Sequence, residues 1–322
     1  MKVVITISPG NSGGGAVHDF INSNTNYTSP FYGHEFRLLQ DPDGLLNLYN
    51  NFFENFTLNN SSNALNKFKI YIDSLSQLKM KVNNQDVKIY NKKISELSRK
   101  YIKKIITIEY SALPQFYSLQ LSFFEKVYLK IKSKLLNKKK NHQNKIKMVV
   151  PVEKKIFIKE TKKFLQKLIK IQLKKKNNKI ILDQSVSVLD YNKIFDFFDN
   201  LKIIIVTRDP RSVFYSMKSR SSNAFPGQDI KKFVIWYNFM MKKFYLNFKR
   251  NSKNPKILKI NFEDFVSNIE IKNRILKFIN EKETENKFNF SKSKQNAYKA
   301  KSLLSINEQN YIKRKLKPFL QW

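Results

Sequence analysis

Arg208 and Ser216 are the residues whose types and spacing point most directly to chemistry. They close residues 202–216, which read Lys-Ile-Ile-Ile-Val-Thr-Arg-Asp-Pro-Arg-Ser-Val-Phe-Tyr-Ser. A guanidinium is a planar fork of donors suited to phosphate, and a hydroxyl eight residues on can share the same oxygen cluster. Helix-start amides add donors and a positive dipole end. The choice of Arg carries weight, because the chain has eight arginines against 53 lysines and places three of them at 208, 211 and 220. The same residues also fit a capped helix after a core strand, with its arginines in solvent.

Certain elements must exist for such a set to form. Residues 202–207 are apolar and β-branched, which predicts a short strand buried on both faces. Asp209 suits an N-cap and Pro210 the first helical turn, so a helix is predicted from there. Arg208 then lies at the carboxyl end of a strand, the edge where open α/β sheets bind ligands. A second phosphate-binding candidate follows the predicted first strand, residues 2–8. Four of the seven glycines fall between Gly10 and Gly15. A glycine-rich turn between strand and helix lets amides wrap an anion. No Gly-Lys-Ser/Thr follows, so it is not a Walker A loop. A flexible turn explains the glycines equally well.

Residues 205–216 resemble the 3′-phosphate-binding segment of PAPS-dependent sulfotransferases, in which an Arg at the strand end and a Ser eight residues later hold the donor's 3′-phosphate. Residues 11–14, Asn-Ser-Gly-Gly, resemble that family's 5′-phosphosulfate loop, except that Asn11 stands where the family has a cation. Residues 261–265, Asn-Phe-Glu-Asp-Phe, resemble its Tyr/Phe-Glu-Asp-Leu stretch. The resemblance spans about 1–40 and 180–320. It implies a P-loop NTPase-like α/β fold, with a central, mainly parallel sheet flanked by helices. It also implies sulfuryl transfer from PAPS, with PAP as product and no metal. Asn11, Ser12, Gly13, Gly14, Gly15 and Ala16 would face the 5′ side. Arg208 and Ser216 would take the 3′-phosphate, helped by Lys294 and Asn296 from a predicted Lys/Ser-rich loop at 291–298. Glu35-Phe36-Arg37 keeps the Glu-x-Arg spacing of the tyrosylprotein sulfotransferases, making Glu35 the base candidate and Arg37 a substrate-binding one. His34 and His18 are alternative bases, and Asp183, ending a predicted strand at 179–184, is another polar candidate. Each also has a bland role: a surface ion pair, a helix-bound histidine, a turn cap.

The expected acceptor is a carbohydrate hydroxyl on a bacterial surface polysaccharide or glycolipid precursor, by family analogy. Other classes stay open: a nucleotide-dependent kinase, and a non-catalytic polyanion binder running on the +36 charge. The Lys, Asn and Ile excess is spread along the whole chain, so coding drift explains that charge and nucleic acid is not the expected partner. With no cysteine there is no disulfide or thiolate site. The first apolar run is too short for a signal peptide and no run approaches the roughly 18 residues of a span. A cytoplasmic protein is expected, peripheral at the inner membrane face through the basic segment 132–147. The chain reads as one domain with a helical insert at about 57–147, built from helices at 64–78, 87–106 and 119–136.

Overall fold

The apolar opening residues form a strand whose last five positions are buried. The computed structural model describes residues 1–82, 84–91, 93–112, 122–135, 146–173, 177–219 and 226–322. In chain order the elements are β1 (Lys2–Ile7), α1 (Gly14–Asn24), α2 (Leu45–Tyr49), α3 (Leu58–Gln77), β2 (Lys79–Val82), β3 (Gln85–Lys88), α4 (Ile94–Lys104), β4 (Ile106–Ala112), α5 (Phe123–Leu135), β5 (Ile146–Pro151), α6 (Lys154–Gln172), β6 (Lys179–Asp183), β7 (Asn200–Thr207), α7 (Pro210–Lys218), α8 (Ile230–Asn251), β8 (Ile257–Asn261), α9 (Phe262–Ser267), α10 (Ile269–Ile279), α11 (Phe290–Leu303) and α12 (Ile306–Lys315). They fall into two compact units: residues 1–40, 79–89 and 168–322, and residues 41–78 and 90–167.

The first unit is an α/β body on a four-stranded parallel sheet in the order β6-β1-β7-β8. Thr6 pairs with Asp183, Ile7 with Ile205, and Thr207 with Asn261. This register brings Ser8, Gln184, Arg208 and Phe262 out at one edge. Helices cover the sheet, and one core cluster joins Val4 and Val206 to Val17 and Phe20 of α1 and to Ile275 and Ile279 of α10. Phe20, Phe265, Phe288 and Phe290 form a knot with neighbouring ring centroids 4.7 to 5.9 Å apart. Such edge-on contacts add to the hydrophobic gain of burying the rings.

The second unit packs Tyr101 of α4 on Phe164 of α6, centroids 4.6 Å apart, with the Tyr101 hydroxyl 2.7 Å from Thr161 Oγ1. The stretch read as a helical insert is not all helix. Residues 79–88 form the antiparallel pair β2-β3, and β4 pairs antiparallel with β5. The predicted helix at 87–106 gives way to strand β3 and the shorter α4, because the helical period breaks at Ile89-Tyr90-Asn91, where both apolar side chains are buried. The predicted loop at 291–298 is the middle of helix α11. Asn289 caps it by accepting from the Lys292 amide, no Gly or Pro interrupts it, and Ala297 and Ala300 bury its inner face. Arg220, residues 221–225 and the lysines at 138–140 lie outside the described residues.

Gly13 and Gly33 are both left-handed, at φ 92° and 80°, but a Cβ on Gly13 would sit 2.5 Å from Phe262 Cδ2, whereas Gly33 faces open space. Gly33→Ala should cost about 1 kcal/mol of backbone strain. Gly13→Ala should cost about 1–3 kcal/mol more from overpacking. Urea midpoints of the two variants measure the difference; equal midpoints would show that the Phe262 contact is not limiting.

Candidate functional site

Short-range geometry explains how the sheet edge becomes a cleft. Past β1 the chain turns through Asn11, at φ 57°, and Gly13 into α1. Asn is among the few side chains that tolerate the left-handed region, which accounts for Asn11 in structural terms. Gly14 is constrained too: a Cβ there would stand 3.0 Å from Ser8 Oγ, whereas one on Gly15 would meet Asp183 Oδ2 at 3.5 Å, an ordinary contact. The Gly13 cap makes no side-chain hydrogen bond. The Ala16 amide turns back onto the Gly13 carbonyl at 3.2 Å, which leaves the amides of Gly14 and Gly15 to the cleft. Ser12 is fully buried, and its hydroxyl has no partner among the described residues.

Facing this turn is the end of β7. Arg208 Nη1 donates to Ser216 Oγ at 3.0 Å and to the Asn11 carbonyl at 3.2 Å, while Nη2 donates to the Asn296 carbonyl. The Arg208 guanidinium carbon lies 5.2 Å from the centroid of the Phe262 ring. Its own carbonyl accepts from Tyr237 Oη at 3.0 Å. One turn before Ser216, Ser212 donates to the Ala297 carbonyl at 2.7 Å and so ties α7 to α11. Asp209 caps α7 as expected and grips Arg211 through Nε and Nη2, each at 2.8 Å. Arg211 is thus occupied beneath the turn.

These pieces enclose a cleft of about 630 Å³, within the range that takes a nucleotide-sized ligand. One wall is the turn from Asn11 to Ala16; the other holds Arg208, Tyr215, Ser216, Ser219, Asn296 and Lys299. Ser8, Glu35, Asp183, Gln184 and Phe262 complete the lining. Glu35 is delivered by a turn closed from the His34 amide to the Phe31 carbonyl, and then by Phe36, whose amide donates to the Asp183 carbonyl at 3.1 Å. Phe36 is fully buried and stacked on Phe31 at 4.8 Å. Glu35 itself is exposed and paired with Arg37 at 3.0 Å.

Asp183 is the perturbed group of the cleft. Burial pushes its carboxyl up to about 6; the charge of His18 and a hydrogen bond from Thr6 Oγ1 pull it down, and nearby Glu35 pushes it up. Beneath Arg208, burial pushes Glu263 up to about 7 although the Asp209 amide donates to it.

The structure brings together most of the candidates read from sequence: Asn11 to Ala16, Glu35, Asp183, Arg208, Ser216 and Asn296 all line one cleft. Lys294, His34 and Arg37 are not in its lining. Lys294 is exposed on α11, rotated away from Asn296 because that segment is helical. Lys299, one turn beyond Asn296, faces the cleft instead, and sequence reading missed it for the same reason. His18 is buried on α1, its Nδ1 3.1 Å from Asp19 Oδ1, and does not reach the lining. Ser8, Gln184, Tyr215, Ser219 and Phe262 were also missed; their positions follow from strand register and helix phase, which only the fold reveals.

No protein-family model and no curated protein matches the sequence. The chain is similar to solved sulfotransferases. Over 98% of its length it aligns with 97% of the sulfotransferase domain from the curacin biosynthetic pathway, at 12% identity and a TM-score of 0.39. It likewise aligns over 98% with 94% of the sulfotransferase domain from the Synechococcus PCC 7002 olefin synthase, at 11% identity and 0.41. For a sulfotransferase from Mycobacterium tuberculosis the figures are 98%, 76%, 8% and 0.40. At these scores the chemistry has to be argued from the cleft itself.

A raised carboxyl makes a stability prediction. Asp183 ionises in the folded chain only above about pH 6, but near 4 when unfolded. Its stabilising contribution is therefore complete below about pH 4 and lost as pH rises through 6. Asp183→Asn, which cannot ionise, should be more stable than the parent by roughly 3 kcal/mol at pH 7.5, with the gain vanishing near pH 4. Thermal melts across that range measure it; a gain independent of pH would refute the raised carboxyl.

Proposed function

We propose that the protein transfers a sulfuryl group from PAPS to a hydroxyl of a carbohydrate acceptor. One observation carries this reading: the Gly-rich turn and the Arg208–Ser216 pair converge on a single cleft and touch through Arg208 and the Asn11 carbonyl. A nucleotide bearing anions at two ends suits two donor sets on opposite walls. A ligand with one phosphate would leave one set idle.

In this reading the 3′-phosphate lies on Arg208, Ser216 and Lys299. The 5′-phosphosulfate lies over the amides from Gly13 to Gly15 and the unpartnered Ser12 hydroxyl. The acceptor enters past Glu35, where His34, Glu35 and Arg37 make a polar mouth suited to a hydroxyl-rich molecule. Glu35 accepts the hydroxyl proton as the oxygen bonds to sulfur. The bond from sulfur to the bridging phosphosulfate oxygen breaks in line, and PAP leaves with the electron pair. The protein's part is to hold the two ends in line and to steady charge on the leaving phosphate. Asp183, buried at the same end, is the competing carboxylate for the proton.

Adenosine 3′,5′-bisphosphate should raise the melting temperature, and Arg208→Ala should abolish the rise. A variant that responds like the parent removes the 3′-phosphate from Arg208. A larger shift with ATP and magnesium would favour a kinase.

Glu35→Gln should keep that binding and lose about 10²–10⁴-fold in turnover of labelled PAPS with glycan acceptors. If Glu35→Gln stays active while Asp183→Asn does not, the base is Asp183.

A further inference from the structure

Helix α8 presents two unlike faces. Phe233, Val234, Tyr237, Met241 and Phe244 are buried against the first unit. The opposite face carries Ile235, Phe239 and Leu246, which are 72%, 59% and 62% exposed. At spacings of four and seven residues these three form one ridge along the helix. Six cations flank the ridge: Lys231, Lys242 and Lys249 on one side, Lys232, Lys243 and Arg250 on the other, all exposed. At 100° per residue each lies within about 40° of the ridge. The helix contains no Asp or Glu in 22 residues. The nearest carboxylate in sequence, Asp229, is spent capping the amides of Lys231 and Lys232. Lys243 already drapes along the ridge, its Nζ 5.4 Å from the Phe239 centroid.

Single exposed apolar residues need no explanation, but three aligned on one helix face, bordered by cations and free of acid, do. We infer that this face of α8 docks on the surface of an anionic lipid bilayer. The ridge would enter the boundary between headgroups and acyl chains, with the long lysine stems reaching back to the lipid phosphates. Three features favour this occupant. A second copy docked symmetrically would set the cations against one another. A nucleic-acid backbone would engage the cations and leave the aliphatic ridge unused. A bilayer interface offers apolar depth and negative charge together. The helix lies on the membrane and does not cross it, because its cations bar it from a hydrocarbon core, and among the described residues no helix is long and apolar enough to span one. The inference stands apart from the sulfuryl-transfer reading.

The test is co-sedimentation of the full chain with vesicles of phosphatidylcholine alone, or with about a third phosphatidylglycerol. Binding is expected only to the anionic vesicles. The triple variant Ile235→Ser, Phe239→Ser, Leu246→Ser should bind them at least about tenfold more weakly at equal salt, with an unchanged thermal melt because all three side chains are exposed. Lys242→Glu with Lys243→Glu should weaken binding as well. The inference is overturned if the parent ignores anionic vesicles, or if the triple variant binds like the parent, which would assign binding to bulk charge. It is also overturned if the triple substitution changes the chain's molar mass in solution, or removes binding to a DNA duplex while sparing vesicles.

Discussion

The buried carboxylate of Asp209 is the interaction on which the cleft edge around Arg208 depends. It is wholly shielded from solvent and accepts from the Arg211 amide, from Arg211 Nε and Nη2, and from the amides of Gln321 and Trp322. A buried charge of this kind is tolerated only when its lone pairs are met, and removing one partner of such a pair costs about 3–5 kcal/mol. The Trp322 ring covers the other side of Arg211, whose guanidinium carbon is 3.4 Å from the ring centroid. The turn carrying Arg208 is therefore clamped from beneath by its own next residue, by the second arginine and by residues 321–322. A fixed turn keeps the Arg208 guanidinium pointed at the cleft at little further entropy cost when an anion arrives.

That clamp separates the roles of the two arginines. Arg211 is neutralised by Asp209, whereas Arg208 donates to carbonyls and a hydroxyl. An entering phosphate would exchange neutral acceptors for charged ones, and hydrogen bonds between ions are roughly twice as strong. Arg208 also bridges the two turns, since its Nη1 reaches both Ser216 and the Asn11 carbonyl. Movement of either turn is felt by the other through this one side chain. Glu263, whose carboxyl is pushed up by burial, sits below without adding a full counter-charge to compete for Arg208.

How much of this was legible in sequence follows from the range of the forces involved. The strand at 200–207, the Asp209 cap and Pro210 at the helix start are set by residues within one turn of each other, and so they could be read directly. The central parallel sheet was expected from the resemblance, and the sheet is parallel throughout. The opposing position of the Gly-rich turn and Arg208 depends on β1 and β7 pairing across nearly 200 residues; it was inferred from a resemblance, not from spacing. Lys294 was named and Lys299 missed because an open-chain reading gives no phase, and phase alone decides which lysine of a helix meets the cleft. The strands β2, β3 and β4 were missed because exposed strands of four to seven residues bury too little apolar surface to show a two-residue period. Asn11 looked like a lost cation; a left-handed backbone is its physical reason.

The same geometry makes the cleft electrically uneven. Among its described lining residues the cations are Arg208 and Lys299, both on the wall with Ser216, while the carboxylates Glu35 and Asp183 stand with the Gly-rich turn. A doubly anionic nucleotide would thus be anchored by charge at one end and by amide dipoles at the other. Dipoles fall off faster with distance than charges, so the Gly-rich end tolerates less displacement of its ligand. Close approach is what Gly14 permits, because a Cβ there would crowd Ser8. The partial protonation of Asp183 eases the remaining difficulty, because a carboxyl titrating near pH 6 carries less than a full negative charge beside an incoming anion at mildly acidic pH. Under the proposed function, charge would fix where the ligand sits, and the glycine turn how near its other end comes to the carboxylates proposed to take a proton.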